Sequence, residues 1–153
     1  MTDAKTTITT TTSADEAPDP NDLIFLRPVT DDPDTGGFWE AAQQRRLVVQ
    51  ACSNCGAVLH LPRPMCRQCH SFDLVWREVA PHGTVYTSTT VEHQVHPNYP
   101  VPYTVVVIEL DEAPVARLIG SIPGRMTPPP GSPAHVRWET MPDGTIVPNW
   151  ALD

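Results

Sequence analysis

All four cysteines of this chain lie in one stretch, CSNCGAVLHLPRPMCRQC, residues 52–69. They form two Cys-x-x-Cys pairs, Cys52 with Cys55 and Cys66 with Cys69, separated by ten residues. A Cys-x-x-Cys turn presents two thiolates to one side of a tetrahedron, and two such turns complete the four-sulfur shell that zinc prefers. Gly56 directly follows the first pair, where a tight turn needs a positive φ. With every position filled by a protein thiolate no place is left for water, so the expected role of the zinc is structural rather than catalytic. The ion would replace the hydrophobic core that a module of ~30 residues cannot build.

Other chemistries compete for the same residues. Iron in a rubredoxin-like site fits the ligand set. A thiol–disulfide enzyme fits less well, because it needs one reactive pair at a helix N-terminus, whereas these pairs sit in strand-turn settings. A disulfide staple suits an oxidising compartment. The N-terminus, MTDAKTTITTTTSADEAPDP, lacks a basic region followed by an apolar core. A cytoplasmic, reducing location is therefore expected, where such pairs read as metal ligands first. His70, beside Cys69, could replace it as a ligand, but four cysteines suffice, so His70 reads as a surface residue.

The charge near the cluster is basic. Between residues 45 and 77 lie Arg45, Arg46, Arg63, Arg67 and Arg77 against Asp73 alone. One reading is that the arginines balance the charge of a zinc tetrathiolate. The other is a phosphate-contacting patch centred on Arg63 and Arg67, since a guanidinium grips phosphate as a bidentate fork.

The acid–base candidates are His82, His93, His96, His135, Glu92, Glu109, Asp111 and Glu112. Glu92, His93 and His96 sit close in sequence, yet a strand cannot place all three on one face. Asp111 and Glu112 read as a hairpin turn. No GxSxG, Walker loop or GxGxxG is present. These residues assemble no complete active site, which points to a binding or accessory role.

The elements that must hold the cysteines follow from pattern. Residues 31–47 turn and then start a helix with Phe38, Trp39, Ala42 and Leu47 near one face and Arg45 and Arg46 near its end. Trp39 reads as a core aromatic or an interface anchor. Short strands LVVQ and AVLHL flank the first knuckle, and DLVWREV leaves the second. From Gly83 onward the pattern is β: GTVYTSTTVEH, the continuous apolar run YTVVVIEL, then VARLIGSI, the alternating AHVRWETM and finally TIVPNWAL. PGRMTPPPGSP between the third and fourth of these is a proline-rich loop. Five strands with short turns and one long loop predict a small Greek-key barrel of OB type.

The chain has 153 residues and a net charge of −8. Residues 1–35 carry eight acids against Lys5 and Arg27, so the tail is acidic and the rest nearly neutral. A near-neutral domain argues against general nucleic-acid binding, which needs a basic surface. No apolar run reaches the ~18 residues of a membrane span. Residues 1–21 have almost nothing to bury and read as disordered, while Leu23, Ile24, Phe25 and Leu26 form an apolar patch suited to docking on the domain or on a partner.

Three stretches taken in order resemble a known family. FWEAAQQRRLVVQACSNCGAVLHLPRPMCRQCHSFDLVWREVAPHGTVYTSTTVEHQ, VPYTVVVIELDEAP and GSPAHVRWE are similar to the zinc-ribbon/OB-fold proteins called acyl-CoA-associated. The likeness spans about residues 36–150. It implies a mainly-β fold: an N-terminal helix, a rubredoxin-like zinc ribbon and a five-stranded OB-type barrel. The chain then divides into a tail over 1–35, helix plus ribbon over 36–79 and an OB domain over 80–153. The family's zinc ligands fall on Cys52, Cys55, Cys66 and Cys69.

The implied work is accessory. Such proteins partner thiolase-superfamily enzymes or MaoC-type enoyl-CoA hydratases, including thiolase-like acyltransferases and aldolases that shorten steroid side chains. The partner supplies the chemistry, and the zinc-ribbon/OB subunit supports it and helps shape the acyl-CoA channel. Arg63 and Arg67 would then meet a CoA phosphate or the partner. Two departures stand out: the second knuckle reads CRQC where the family often has CPxC, and Ala113 follows Asp111 and Glu112 where glycine is common. An OB barrel can also cradle single-stranded nucleic acid, so a nucleic-acid-binding zinc-ribbon/OB protein is the second reading.

Overall fold

The computed structural model describes residues 28–95 and 99–153. Most of the acidic tail, the Leu23–Leu26 patch and His96 lie outside the described residues. The described chain opens with a turn in which Asp32 Oδ1 accepts the backbone N–H groups of Asp34 and Thr35. Helix α1 follows, Gly36–Gln43. It is shorter than the periodicity suggests, because Arg45 takes a left-handed φ of 57° and ends it. Leu47 therefore joins the core from the following loop, and the two arginines lie past the helix end.

Three strands make the ribbon sheet: β1 (Val48–Cys52), β2 (Val58–Leu59) and β3 (Leu74–Glu78), in the order β2-β1-β3. The main sheet holds β4 (His82–Val91), β5 (Tyr103–Leu110), β6 (Ala113–Pro123), β7 (Pro133–Thr140) and β8 (Ile146–Leu152). These are the five strands expected from pattern, and the turn at Asp111 and Glu112 joins β5 to β6 as a hairpin. Along β5 the even-numbered residues from Thr104 to Leu110 are buried and the odd ones half-buried, as a central strand requires.

The expected closed barrel is not what forms. Among the described residues the main sheet is open, with strand order β6-β5-β4-β7-β8 and β6 and β8 at its edges. The β4–β7 ladder is short, pairing only His82, Gly83 and Thr84 with His135, Ala134 and Pro133. The edges meet through side chains instead of a ladder. Asn149 Oδ1 accepts the backbone N–H of Ser121 at 2.5 Å, and its Nδ2 donates to Ser121 Oγ at 3.2 Å. The group that would start a β6–β8 ladder is thus already taken. Pro148 in β8 has no N–H to give.

Trp150 lies against Gly120 across this seam, where any Cβ would run into the indole. Ribbon and sheet share one core: Leu47, Val49 and Val79 pack with Val85, Ile108, Leu110 and Trp150. Each such side chain contributes roughly 1.5–3 kcal/mol when fully buried. Among the described residues no helix is long and apolar enough to cross a membrane.

Candidate metal centre

Strand β1 ends on Cys52, and β3 begins just after the second knuckle, so the β1–β3 pairing brings the two turns together. Both knuckles are built alike. In the first, the Gly56 N–H donates to the Cys52 carbonyl at 2.8 Å and the Cys52 N–H to the Ala57 carbonyl at 2.9 Å. In the second, the His70 N–H donates to the Cys66 carbonyl at 3.0 Å and the Cys66 N–H to the Ser71 carbonyl at 2.9 Å. A residue of positive φ closes each turn: Gly56 at 74° and His70 at 58°. His70 is thus a turn residue of the second knuckle, with its side chain exposed.

The four Sγ atoms lie within 4.8 Å of one another. Cys52 Sγ is 3.5 Å from Cys69 Sγ, and Cys55 Sγ is 3.6 Å from Cys66 Sγ. Sulfurs of a tetrahedron with zinc–sulfur bonds of about 2.3 Å stand about 3.8 Å apart, so the donor set fits zinc. All four cysteines are free thiols. Cys52 and Cys66 are buried with Leu59 and packed by Ala57 and Leu74, a small apolar cluster around the sulfurs.

The polar surroundings sort the thiols. The Asn54 side-chain amide donates to Cys69 Sγ at 3.5 Å. That bond, helped by the Ser71 backbone N–H, brings Cys69 down to about 6. Backbone N–H groups of Cys69 and Gln68 lower Cys66 as well. At Cys55 the Ala57 N–H pulls downward, but the neighbouring Cys69 sulfur, burial and the other two sulfurs outweigh it and push Cys55 up to about 12. Without a cation the shell cannot hold four thiolates, and a divalent ion removes that obstacle.

The arginines of the basic stretch divide. Arg63 and Arg67 line one cleft of about 320 Å³, with His60, Gln68 and Val115 among its other walls. Gln50 Oε1 accepts the Arg63 backbone N–H at 2.8 Å and fixes that loop. Burial holds His60 below the usual histidine range, against an opposing hydrogen bond to the Arg117 backbone. Arg46 lies elsewhere, paired with Glu78 at 3.2 Å. Sequence reasoning did not find Gln50, Asn54 or His60. Of these only Asn54 carries a signal, its place inside the CSNC turn.

The acid–base candidates separate into surface pairs. Glu109 holds Arg117 at 2.9 Å, and Arg117 in turn lies over the Tyr86 ring at 3.5 Å. Glu92 holds Arg125 at 2.6 Å, and Glu112 accepts the Ala80 N–H at 3.0 Å. His82 pairs with Asp111 and His135 with Asp153. His93 is exposed. Trp39 is half-buried and stands between an apolar cleft of about 140 Å³, shared with Phe38 and Trp76, and a wider one of about 520 Å³, shared with Pro28 and Tyr99.

Two family models match the chain in tandem. Residues 39–75 match the ChsH2 rubredoxin-like zinc ribbon domain and residues 76–139 the ChsH2 C-terminal OB-fold domain. A "Probable enoyl-CoA hydratase alpha subunit" of Thermomonospora curvata is 40% identical over 113 residues, which is 71% of this chain and 35% of the relative. The chain thus spans about a third of that relative's length. Among solved structures, a chain of the "Ltp2-ChsH2(DUF35) aldolase" superposes with a TM-score of 0.73 at 34% identity, covering 81% of this chain and 97% of the other. A DUF35-family protein of unknown function from Sulfolobus solfataricus, 17% identical, shares the fold at a TM-score of 0.51 over 68% of this chain and 77% of its own.

Proposed function

The chain belongs to the ChsH2 family of zinc-ribbon/OB-fold proteins, and on that footing we propose that it is a zinc-holding accessory subunit of an acyl-CoA-processing complex. A thiolase-like or enoyl-CoA-hydratase-like partner supplies the reacting groups, in acyl transfer or aldol cleavage. The observation that carries this reading is the likeness of ribbon and sheet together to nearly the full length of a chain of the "Ltp2-ChsH2(DUF35) aldolase".

Cys52, Cys55, Cys66 and Cys69 hold the zinc in this reading. The ion ties the two knuckles together and balances thiolate charge, with no position left for substrate. Arg63 and Arg67 meet a CoA phosphate as paired guanidinium donors in this reading, which their sharing one cleft beside the ribbon supports. We read the chain as a tail over 1–35, helix plus ribbon over 36–79 and an OB-type sheet over 80–153; what supports the second boundary is that one sheet ends at Glu78 and the other begins at His82.

Co-expression tests the proposal. The chain alone should turn over no acyl-CoA substrate, and the partner should be inactive or insoluble until the chain is supplied. Full activity from the partner alone would overturn the accessory role.

A further inference from the structure

Four side chains form a row across the solvent face at one end of the main sheet. His82 on β4 and His135 on β7 are direct partners in the ladder. Cross-strand partners leave the same face with Cβ atoms about 5 Å apart. Each imidazole is held by a carboxylate from its outer side. His82 Nδ1 lies 2.6 Å from Oδ2 of Asp111, which follows β5. His135 Nδ1 lies 2.5 Å from Oδ1 of Asp153, which follows β8. Because β5 flanks β4 and β8 flanks β7, the order across the sheet is carboxylate, imidazole, imidazole, carboxylate.

A ring nitrogen this close to a carboxylate oxygen is the N–H donor, and in a neutral imidazole the other nitrogen then keeps its lone pair. Both Nδ1 atoms are drawn outward, to Asp111 and Asp153. Nε2, the nitrogen not engaged by a carboxylate, is the ligating atom each ring has left, on two rings that stand side by side in the ladder. Each histidine side chain is 53% exposed, so an ion can reach the rings.

We propose that His82 and His135 form a second divalent-metal site, taking a zinc-class ion through their two Nε2 atoms, with Asp111 and Asp153 as the outer carboxylates that fix ring tautomer and orientation. A carboxylate behind each ligating imidazole is the arrangement metal-binding histidines adopt, and imidazole suits zinc, copper and nickel. Two protein ligands leave the remaining positions to water or to a donor from a bound molecule. In this the site differs from the closed thiolate shell.

The test is a calorimetric titration of the full chain with zinc chloride, starting from protein whose ribbon is already loaded. One further equivalent of zinc is expected, weaker than the first. His82→Gln and His135→Gln should each abolish it while leaving ribbon zinc and melting temperature unchanged. Asp111→Asn should weaken it about ten-fold or more. No further equivalent in the parent chain would overturn the proposal. So would an equivalent that survives both histidine substitutions, which would place the ion elsewhere, for example at Glu92 and His93.

Discussion

His70 does in the second zinc knuckle what Gly56 does in the first. Each follows the second cysteine of its pair, each donates its N–H to the carbonyl of the first, and each holds a positive φ, 58° and 74° respectively. The left-handed region costs a non-glycine residue roughly 1–2 kcal/mol. A glycine there loses about 0.4–1 kcal/mol through the freer unfolded chain. His70→Gly should therefore raise stability by about 0.5 kcal/mol, and Gly56→Ala should lower it by about 1 kcal/mol. Thermal melting of the zinc-loaded protein checks both. A destabilised His70→Gly variant would show that the imidazole contributes something beyond closing the turn.

Cys66 is buried in the small cluster around the sulfurs. Cys66→Ser should drop zinc content well below that of the parent and destabilise or aggregate the protein, because metal binding and ribbon folding are one process. Metal analysis and melting on the same sample decide the matter. A soluble, zinc-free variant with unchanged melting would contradict it.

Zinc affinity should rise with pH. In the metal-free shell the Cys55 thiol sits up at about 12 and keeps its proton at neutral pH. Binding must release at least that proton, so each rise in pH favours the metal-bound form. As pH falls through about 6, Cys69 also takes up a proton in the metal-free shell, and affinity falls more steeply. Calorimetry in buffers of different ionisation enthalpy measures the proton release. An affinity that stays flat from pH 6 to pH 8 would be the contrary result.

Gly120 faces Trp150 and Asn149 across the seam between the β6 and β8 edges. Gly120→Ala should cost about 1–3 kcal/mol, the usual penalty for overpacking. The loss should appear as a lower denaturant midpoint with zinc content intact. An unchanged midpoint would mean that the edges separate freely.

If the cleft beside the ribbon meets a phosphate, Arg63→Ala with Arg67→Ala should weaken binding of a CoA ester by the assembled complex, and more so at low salt. Melting should barely change, since both side chains are exposed. Equal affinity at low salt would leave these arginines as charge balance for the thiolates.

Much of this was legible from residue order. The knuckle spacing locates the sulfurs, and the alternation of AHVRWETM locates β7, in which Ala134 and Val136 prove to be the buried residues. Sheet closure was not legible, because it turns on tertiary details: a β4–β7 ladder of three pairs and an asparagine that occupies the edge N–H of Ser121. The helix end carries no sequence signal, because an arginine, not a glycine, takes the left-handed turn. The His82–His135 juxtaposition depends on strand register across a long connection, which local pattern does not encode. Charge alone points to Arg63 and Arg67 in the sequence, and the fold brings both to one cleft.

The most direct test of the accessory role is a tagged pull-down of the full chain from its source lysate, with co-purifying proteins identified and quantified by mass spectrometry. The expected result is a thiolase-like or enoyl-CoA-hydratase-like enzyme in stoichiometric amount, retained at moderate salt. Recovery of the chain alone, or with nucleic acid in place of an acyl-CoA enzyme, would contradict it.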